Sequence, residues 1–165
     1  MKTLYLVRHA KSSWKFEELS DHDRPLNKRG RSDAPLIGQE LADRNVEVDL
    51  IISSSAVRAL TTATLVAKEL GFPLEKIGVQ EELYHTEAED LVKFAQSLPD
   101  EYDSVMLVGH NPAITEAINA LSAEKTIANL PTSGVAGFSF DCAYWGQLSK
   151  ENARLLFIDY PKNYR

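Results

Sequence analysis

The chain has a single cysteine, no long apolar run, no excess of positive charge and no repeat. Each absence removes a class of protein. One cysteine, Cys142, cannot form an internal disulfide, so a reducing, cytoplasmic setting is expected, with Cys142 as a small buried residue rather than a nucleophile. No stretch approaches the roughly 20 apolar residues that a membrane span needs. The opening Met1-Lys2-Thr3-Leu4 runs straight into a strand pattern, which leaves no room for a signal peptide. A net charge of −6 argues against a general nucleic-acid binder, which needs a basic face. No metal or cofactor is expected. The 165 residues fit one domain, residues 1–165, with a true core.

What is present is an alternation of short apolar runs with helical patterns. Residues 3–7, 49–53 and 104–108 read as buried strands. Residues 76–79 suggest a fourth, short one. Asn27 is a plausible N-cap for a helix to about residue 44, in spite of Gly30, Pro35 and Gly38. A second helix is expected over 56–70, capped by Ser54 or Ser55. Helices over 87–98 and 113–121 follow. Residues 135–140 and 154–158 read as late strands forming an antiparallel hairpin around Tyr144-Trp145-Gly146. The pattern predicts a three-layer α/β/α sandwich with a mostly parallel mixed sheet. Residues 11–27 form a long irregular loop of the kind that carries function.

The chemistry lies where the strands end. Leu6-Val7-Arg8-His9-Ala10-Lys11 places an Arg-His pair at the carboxyl edge of the sheet, where open α/β folds hold ligands. Arg58 falls on the first turn after the second strand, and His110 follows the third. Two arginines and two histidines without obvious metal carboxylates describe an anion site, best suited to a phosphoryl group. His9 can attack phosphorus directly and form a covalent phosphohistidine. Arg8, Arg58 and His110 would bind the equatorial oxygens.

Arg8-His9-Ala10 resembles the Arg-His-Gly signature of the histidine phosphatase superfamily, the phosphoglycerate mutase-like fold. Leu6 to Trp14 and Asp23-Arg24-Pro25-Leu26-Asn27-Lys28-Arg29-Gly30 resemble its short SixA-like branch. Ser53-Ser54-Ser55-Ala56-Val57-Arg58-Ala59, with Thr61 and Thr62 after it, resembles the second-arginine segment. Val108-Gly109-His110-Asn111-Pro112 resembles the second-histidine segment. The resemblance implies His9 as nucleophile and Arg8, Arg58 and His110 as the phosphate pocket. Ser12, Ser13 and Lys15 are candidates for a further phosphate contact, with Ser12 and Arg24 counted among the substrate-binding residues. Ala10 departs from the usual glycine, and its methyl is expected to narrow the approach to the phosphate.

Larger relatives carry an acid that protonates the leaving oxygen. Glu81, Glu82, His85, Glu87, Glu89 and Asp90 lie in the corresponding stretch, none in a spacing that marks it. A site without a strong acid suits a P–N bond, because imidazole leaves more readily than an alkoxide. The expected activity is therefore a metal-independent protein-phosphohistidine phosphatase in signal transduction, acting on a phosphorylated protein such as a phosphotransfer domain. The rivals are a phosphatase of small phosphorylated metabolites and a non-catalytic phosphate-binding module. His22 and His85 are expected to be ordinary loop histidines, and Trp14 and Trp145 packed loop anchors. Arg24 either reaches the phosphate or ties down the loop through Asp21 or Asp23. Thr132 or Ser133, in a turn, is a possible donor to substrate.

Overall fold

A computed structural model describes residues 1–123 and 127–165. Its centre is a six-stranded mixed sheet with four helices. The strands are β1 (Lys2–Arg8), β2 (Leu50–Ser54), β3 (Gly78–Gln80), β4 (Ser104–Gly109), β5 (Val135–Phe140) and β6 (Ala153–Asp159). The helices are α1 (Lys28–Asp43), α2 (Val57–Leu70), α3 (Ala88–Gln96) and α4 (Ala113–Leu121). Strand order is β3-β2-β4-β1-β5-β6. The first four in that order run parallel, while β5 is antiparallel to both β1 and β6.

The apolar runs are continuous because both faces of the sheet are covered. Along β1, Leu4 and Leu6 join one core with α3 and α4, while Tyr5 and Val7 join the other with α1 and α2. This is the two-residue alternation of a strand, with each face meeting its own helix layer. No helix among the described residues is long and apolar enough to cross a membrane.

Local departures from the sequence reading have physical reasons. Residues 74–76 form a 3₁₀ turn, which delays β3 to Gly78–Gln80. Helix α3 is shorter than expected, ending at Gln96 with Ser97 as its C-cap. Neither Ser54 nor Ser55 caps α2, whose N-cap is Ala56; both serines are engaged by histidines. The β5–β6 pair is antiparallel, but residues 141–152 connect it through two 3₁₀ turns rather than a tight hairpin. Trp145 in that connection is fully buried and donates from Nε1 to the Tyr102 carbonyl at 2.7 Å, so it is an anchor. Cys142 is only half-buried.

Helix α1 runs through Gly30, Pro35 and Gly38 without a break, and Asn27 caps it by accepting from the Gly30 N–H at 2.8 Å. Gly30 is required by packing. A Cβ there would lie 2.2 Å from the Lys11 carbonyl oxygen, where the chain after β1 crosses the start of α1. Gly38 likewise lets α1 approach Val66 and Glu69 of α2.

Candidate active site

Strands β1 and β4 are adjacent and parallel, with Arg8 opposite Gly109. The chain leaves β1 toward the α1/α2 layer and leaves β4 toward the α3/α4 layer. The carboxyl ends of these two strands therefore open a crevice at a switch point in the topology. Arg8 and His9 line it from one strand and His110 from the other; Arg58 enters from the first turn of α2 beyond β2. The result is an open cleft of about 850 Å³ that also takes in Ser12, Ser13, Trp14, Lys15, Asp21, Arg24, Tyr84, His85, Asn111 and Thr132.

Backbone contacts fix the two residues at the end of β1. The Arg8 N–H donates to the Gly134 carbonyl and the His9 N–H to the Gly109 carbonyl, each at 3.0 Å. The Ser133 N–H donates to the His9 carbonyl at 3.1 Å. The Ala10 N–H donates to Thr62 Oγ1 at 2.9 Å, which ties the segment to α2. The Ala10 methyl does not narrow the cleft as expected: it packs in a small apolar cluster with Leu26 and Ala34.

His9 is buried, and its Nδ1 lies 2.7 Å from the Ala10 carbonyl oxygen. A carbonyl only accepts, so Nδ1 carries the proton and Nε2 keeps its lone pair. Burial lowers the His9 pKa to about 4, against the Ala10 hydrogen bond, with Arg58, Arg8 and Arg24 reinforcing the shift. The imidazole is thus neutral near pH 7. The His110 ring centroid lies 5.1 Å from that of His9. Burial, then His9 and Arg58, lower its pKa to about 3. Its Nε2 contacts Ser54 Oγ at 2.8 Å.

The donors are incompletely used. Arg8 Nη1 donates to the Leu130 carbonyl at 2.9 Å. Arg8 Nε, Arg58 Nε, His110 Nδ1 and Ser133 Oγ are buried without a hydrogen-bond partner. Among the described residues these are all the buried side-chain atoms in that state, and they belong to or adjoin one cleft. Buried polar groups are nearly always paired, so such a concentration marks a place for a ligand with several acceptor oxygens.

Asp21 was not singled out for the site by sequence pattern. Its backbone carbonyl accepts from Arg58 Nη1 at 2.7 Å and its carboxylate from Arg58 Nη2 at 3.0 Å. The same carboxylate pairs with Arg24 at 3.1 Å and accepts from the Tyr84 hydroxyl at 2.6 Å. The Tyr84 hydrogen bond, with Arg58 beside it, holds Asp21 far below the usual carboxylate range.

Arg24 therefore does tie down the loop, through Asp21, and it also lines the cleft. It donates from Nη1 to Ser12 Oγ at 2.7 Å and lies 3.5 Å from the Trp14 ring centroid. Ser12, Ser13, Lys15 and Thr132 line the cleft, and the Ser12 hydroxyl accepts from Arg24.

Two expectations for the loops fail. His22 is half-buried and bonded through Nε2 to Ser55 Oγ at 2.9 Å, edge-on to Tyr84. It joins the loop to the turn before α2. Trp14 is 77% exposed and so is not a packed anchor, because its contact is the flat guanidinium of Arg24 rather than the core. Of the acid candidates, His85 reaches the cleft; Glu87 and Asp90 line an adjoining hollow together with His85, His110 and Asn111, while Glu81, Glu82 and Glu89 line neither.

The arrangement can hold a tetrahedral dianion, present a neutral imidazole nitrogen to its phosphorus, and spread the added charge over two guanidinium groups.

Comparison with known proteins places this geometry. The family model for the histidine phosphatase superfamily (branch 1) matches residues 4–123. The chain is similar to a protein from Agrobacterium tumefaciens assigned as a phosphohistidine phosphatase SixA, at 31% identity, over 97% of this chain and 98% of that one, with a TM-score of 0.82. The protein histidine phosphatase SixA complexed with tungstate shares the fold at 23% identity and a TM-score of 0.83, each chain covered to 99%. An uncharacterized Mycobacterium leprae protein is 29% identical over 94% of this chain and its own full length. The family match spans β1 to α4 and includes all four residues of the Arg-His pocket, so the chain belongs to the histidine phosphatase superfamily (branch 1).

Proposed function

We propose that this phosphatase removes the phosphoryl group from phosphohistidine on a protein, with His9 as nucleophile and Arg8, Arg58 and His110 as the phosphate pocket. One observation carries the choice of substrate. Among the described residues lining the cleft around His9, Asp21 is the only carboxylate, and Tyr84, Arg58 and Arg24 keep it ionised; Glu87 and Asp90 line an adjoining hollow on the far side of His85 and His110. A carboxylate held in that state is a poor proton donor. The leaving group must then depart with little help, as imidazole does and an alkoxide does not. The similarity to a SixA assigned as a phosphohistidine phosphatase supports the same reading.

The reaction runs in two displacements. His9 Nε2 attacks phosphorus; the new P–N bond forms as the substrate's own P–N bond breaks, and the substrate ring, protonated from solvent on its other nitrogen before the bond breaks, leaves as neutral imidazole. Water then attacks phosphorus, the bond to His9 breaks, and inorganic phosphate leaves with the water's oxygen. Arg8 and Arg58 offset the charge that builds on the equatorial oxygens in both steps. The Ala10 carbonyl holds the Nδ1 proton throughout, so the ring stays oriented with Nε2 toward phosphorus.

A second reading stands on His85. This exposed imidazole lines the cleft and could protonate an alkoxide, which would suit a small phosphomonoester. The two readings separate in one experiment. Phosphate release from a phosphohistidine protein and from an alkyl phosphomonoester is measured side by side, in EDTA, with wild type and His9→Ala. Our reading requires strong preference for phosphohistidine and loss in the variant. Faster turnover of the ester would transfer the assignment to the small-molecule reading. A wild type inert toward both would favour a binding module.

A further inference from the structure

We infer that the loop segment bearing Trp14, Lys15, Phe16 and Leu19 is a docking rim for the phosphorylated protein, contacting apolar and acidic side chains around its phosphohistidine. The inference rests on the phosphoprotein reading above and deepens it. Trp14 is 77% exposed, Phe16 39% and Leu19 38%. Leu19 and Phe16 are held together by a turn, the Leu19 N–H donating to the Phe16 carbonyl at 3.2 Å. Large apolar side chains at one place on a surface favour a partner that covers them.

The position of the rim identifies that partner. Trp14 and Lys15 line the same cleft as His9. A phosphoryl group seated on Arg8 and Arg58 has its carrier emerging past them. Trp14 rests on a cleft residue. One face of its indole lies against Arg24, which is buried and bonded to Asp21 and Ser12. The other face of the indole is open to solvent, where a partner's side chain can cover it, as buried aromatic side chains do at interfaces. Glu17 and Glu18 are exposed on the outer side of the rim, between Phe16 and Leu19, whereas the cleft it borders is lined mainly by cations. Lys11 and Lys15 line it together with the arginines, and the one carboxylate, Asp21, is already neutralised by two of them. On a chain of net charge −6 this is a local cationic mouth, complementary to acidic residues beside the phosphohistidine.

The test compares kcat/KM on a phosphorylated histidine phosphotransfer domain with kcat/KM on phosphoramidate, a P–N substrate too small to reach the rim. The variants are Trp14→Ala, Phe16→Ala and, as the conservative change, Trp14→Phe. We expect the protein-to-phosphoramidate ratio to fall about tenfold in Trp14→Ala, through KM for the protein. It should fall less in Phe16→Ala and be largely restored in Trp14→Phe. A ratio within twofold of wild type in both alanine variants, with wild type active on the protein, would overturn the rim alone. A wild type that hydrolyses phosphoramidate but not the phosphoprotein would overturn the phosphoprotein reading and the rim with it.

Discussion

The Nδ1–H of His9 donates to the carbonyl oxygen of Ala10 at 2.7 Å, which leaves Nε2 as the ring nitrogen with a free lone pair. That relationship, inside a buried and cationic pocket, fixes tautomer, orientation and charge together. It also has consequences for pH.

Burial holds the His9 pKa at about 4, below its ordinary 6.5. Protonation of the nucleophile should therefore set the acid limb of kcat/KM near pH 4 rather than 6.5, once the substrate's own ionisation is allowed for. A pH–rate profile on phosphoramidate checks this. An acid limb near 6.5 would mean that the free enzyme does not hold His9 as described.

The same shifts bear on stability. His9 and His110 are both depressed in the folded state, to about 4 and about 3, from 6.5. Above pH 6.5 both are neutral in folded and unfolded chains, and the full stability is present. Below it the unfolded chain takes up protons that the folded one refuses, so stability falls from about 6.5 down to about 4 for His9 and about 3 for His110. The slope is at most about 1.4 kcal/mol per pH unit for each imidazole. Denaturant titrations across this range should show a shallower slope in a His9→Gln, His110→Gln double variant than in wild type. Equal slopes would contradict the assignment.

Asp21 holds Arg58 through both backbone and side chain and reaches Arg24 and Tyr84 as well. Asp21→Ala should loosen both arginines and lower kcat/KM about tenfold, the scale of a lost charge-assisted contact. Asp21→Asn keeps an acceptor for Arg58 and Tyr84 and should recover part of the loss. A rise in kcat/KM for the alanine variant would show instead that the carboxylate blocks the anion site.

Gly30 faces the Lys11 carbonyl at a distance that no side chain can fill. Gly30→Ala should destabilise the fold by about 3 kcal/mol, at the upper end of overpacking effects, because backbone rather than a flexible side chain must move. Urea unfolding measures it. A loss under about 0.5 kcal/mol, the range of neutral surface changes, would contradict the packing.

Much of this was legible in the chain. Arg8 ends β1, His9 and His110 directly follow β1 and β4, and Arg58 lies in the first turn of α2 just beyond β2, so local pattern alone brings them to one sheet edge. Strand alternation and the Asn27 cap likewise depend on near neighbours. Asp21 was not legible as part of the site, because its role depends on how residues 11–27 fold back: the Ser13 N–H donates to the Pro25 carbonyl and the Asn27 N–H to the Lys11 carbonyl. Tyr84, Ser54 and Thr62 act through partners 63, 56 and 52 residues away, beyond any periodicity. Trp14 and Trp145 look alike in sequence. Only the tertiary structure separates the exposed one on Arg24 from the buried one on the Tyr102 carbonyl.

The most direct test of the central claim is the covalent intermediate on His9. Wild type and His9→Asn are mixed with ³²P-phosphoramidate, quenched within milliseconds in alkali, and the label is located on the chain. We predict a phosphoryl group on the Nε2 of His9 in wild type, stable in alkali and lost in acid, and none in the variant. Turnover by wild type with no label trapped on the chain, or equal labelling of the His9→Asn variant, would contradict the account.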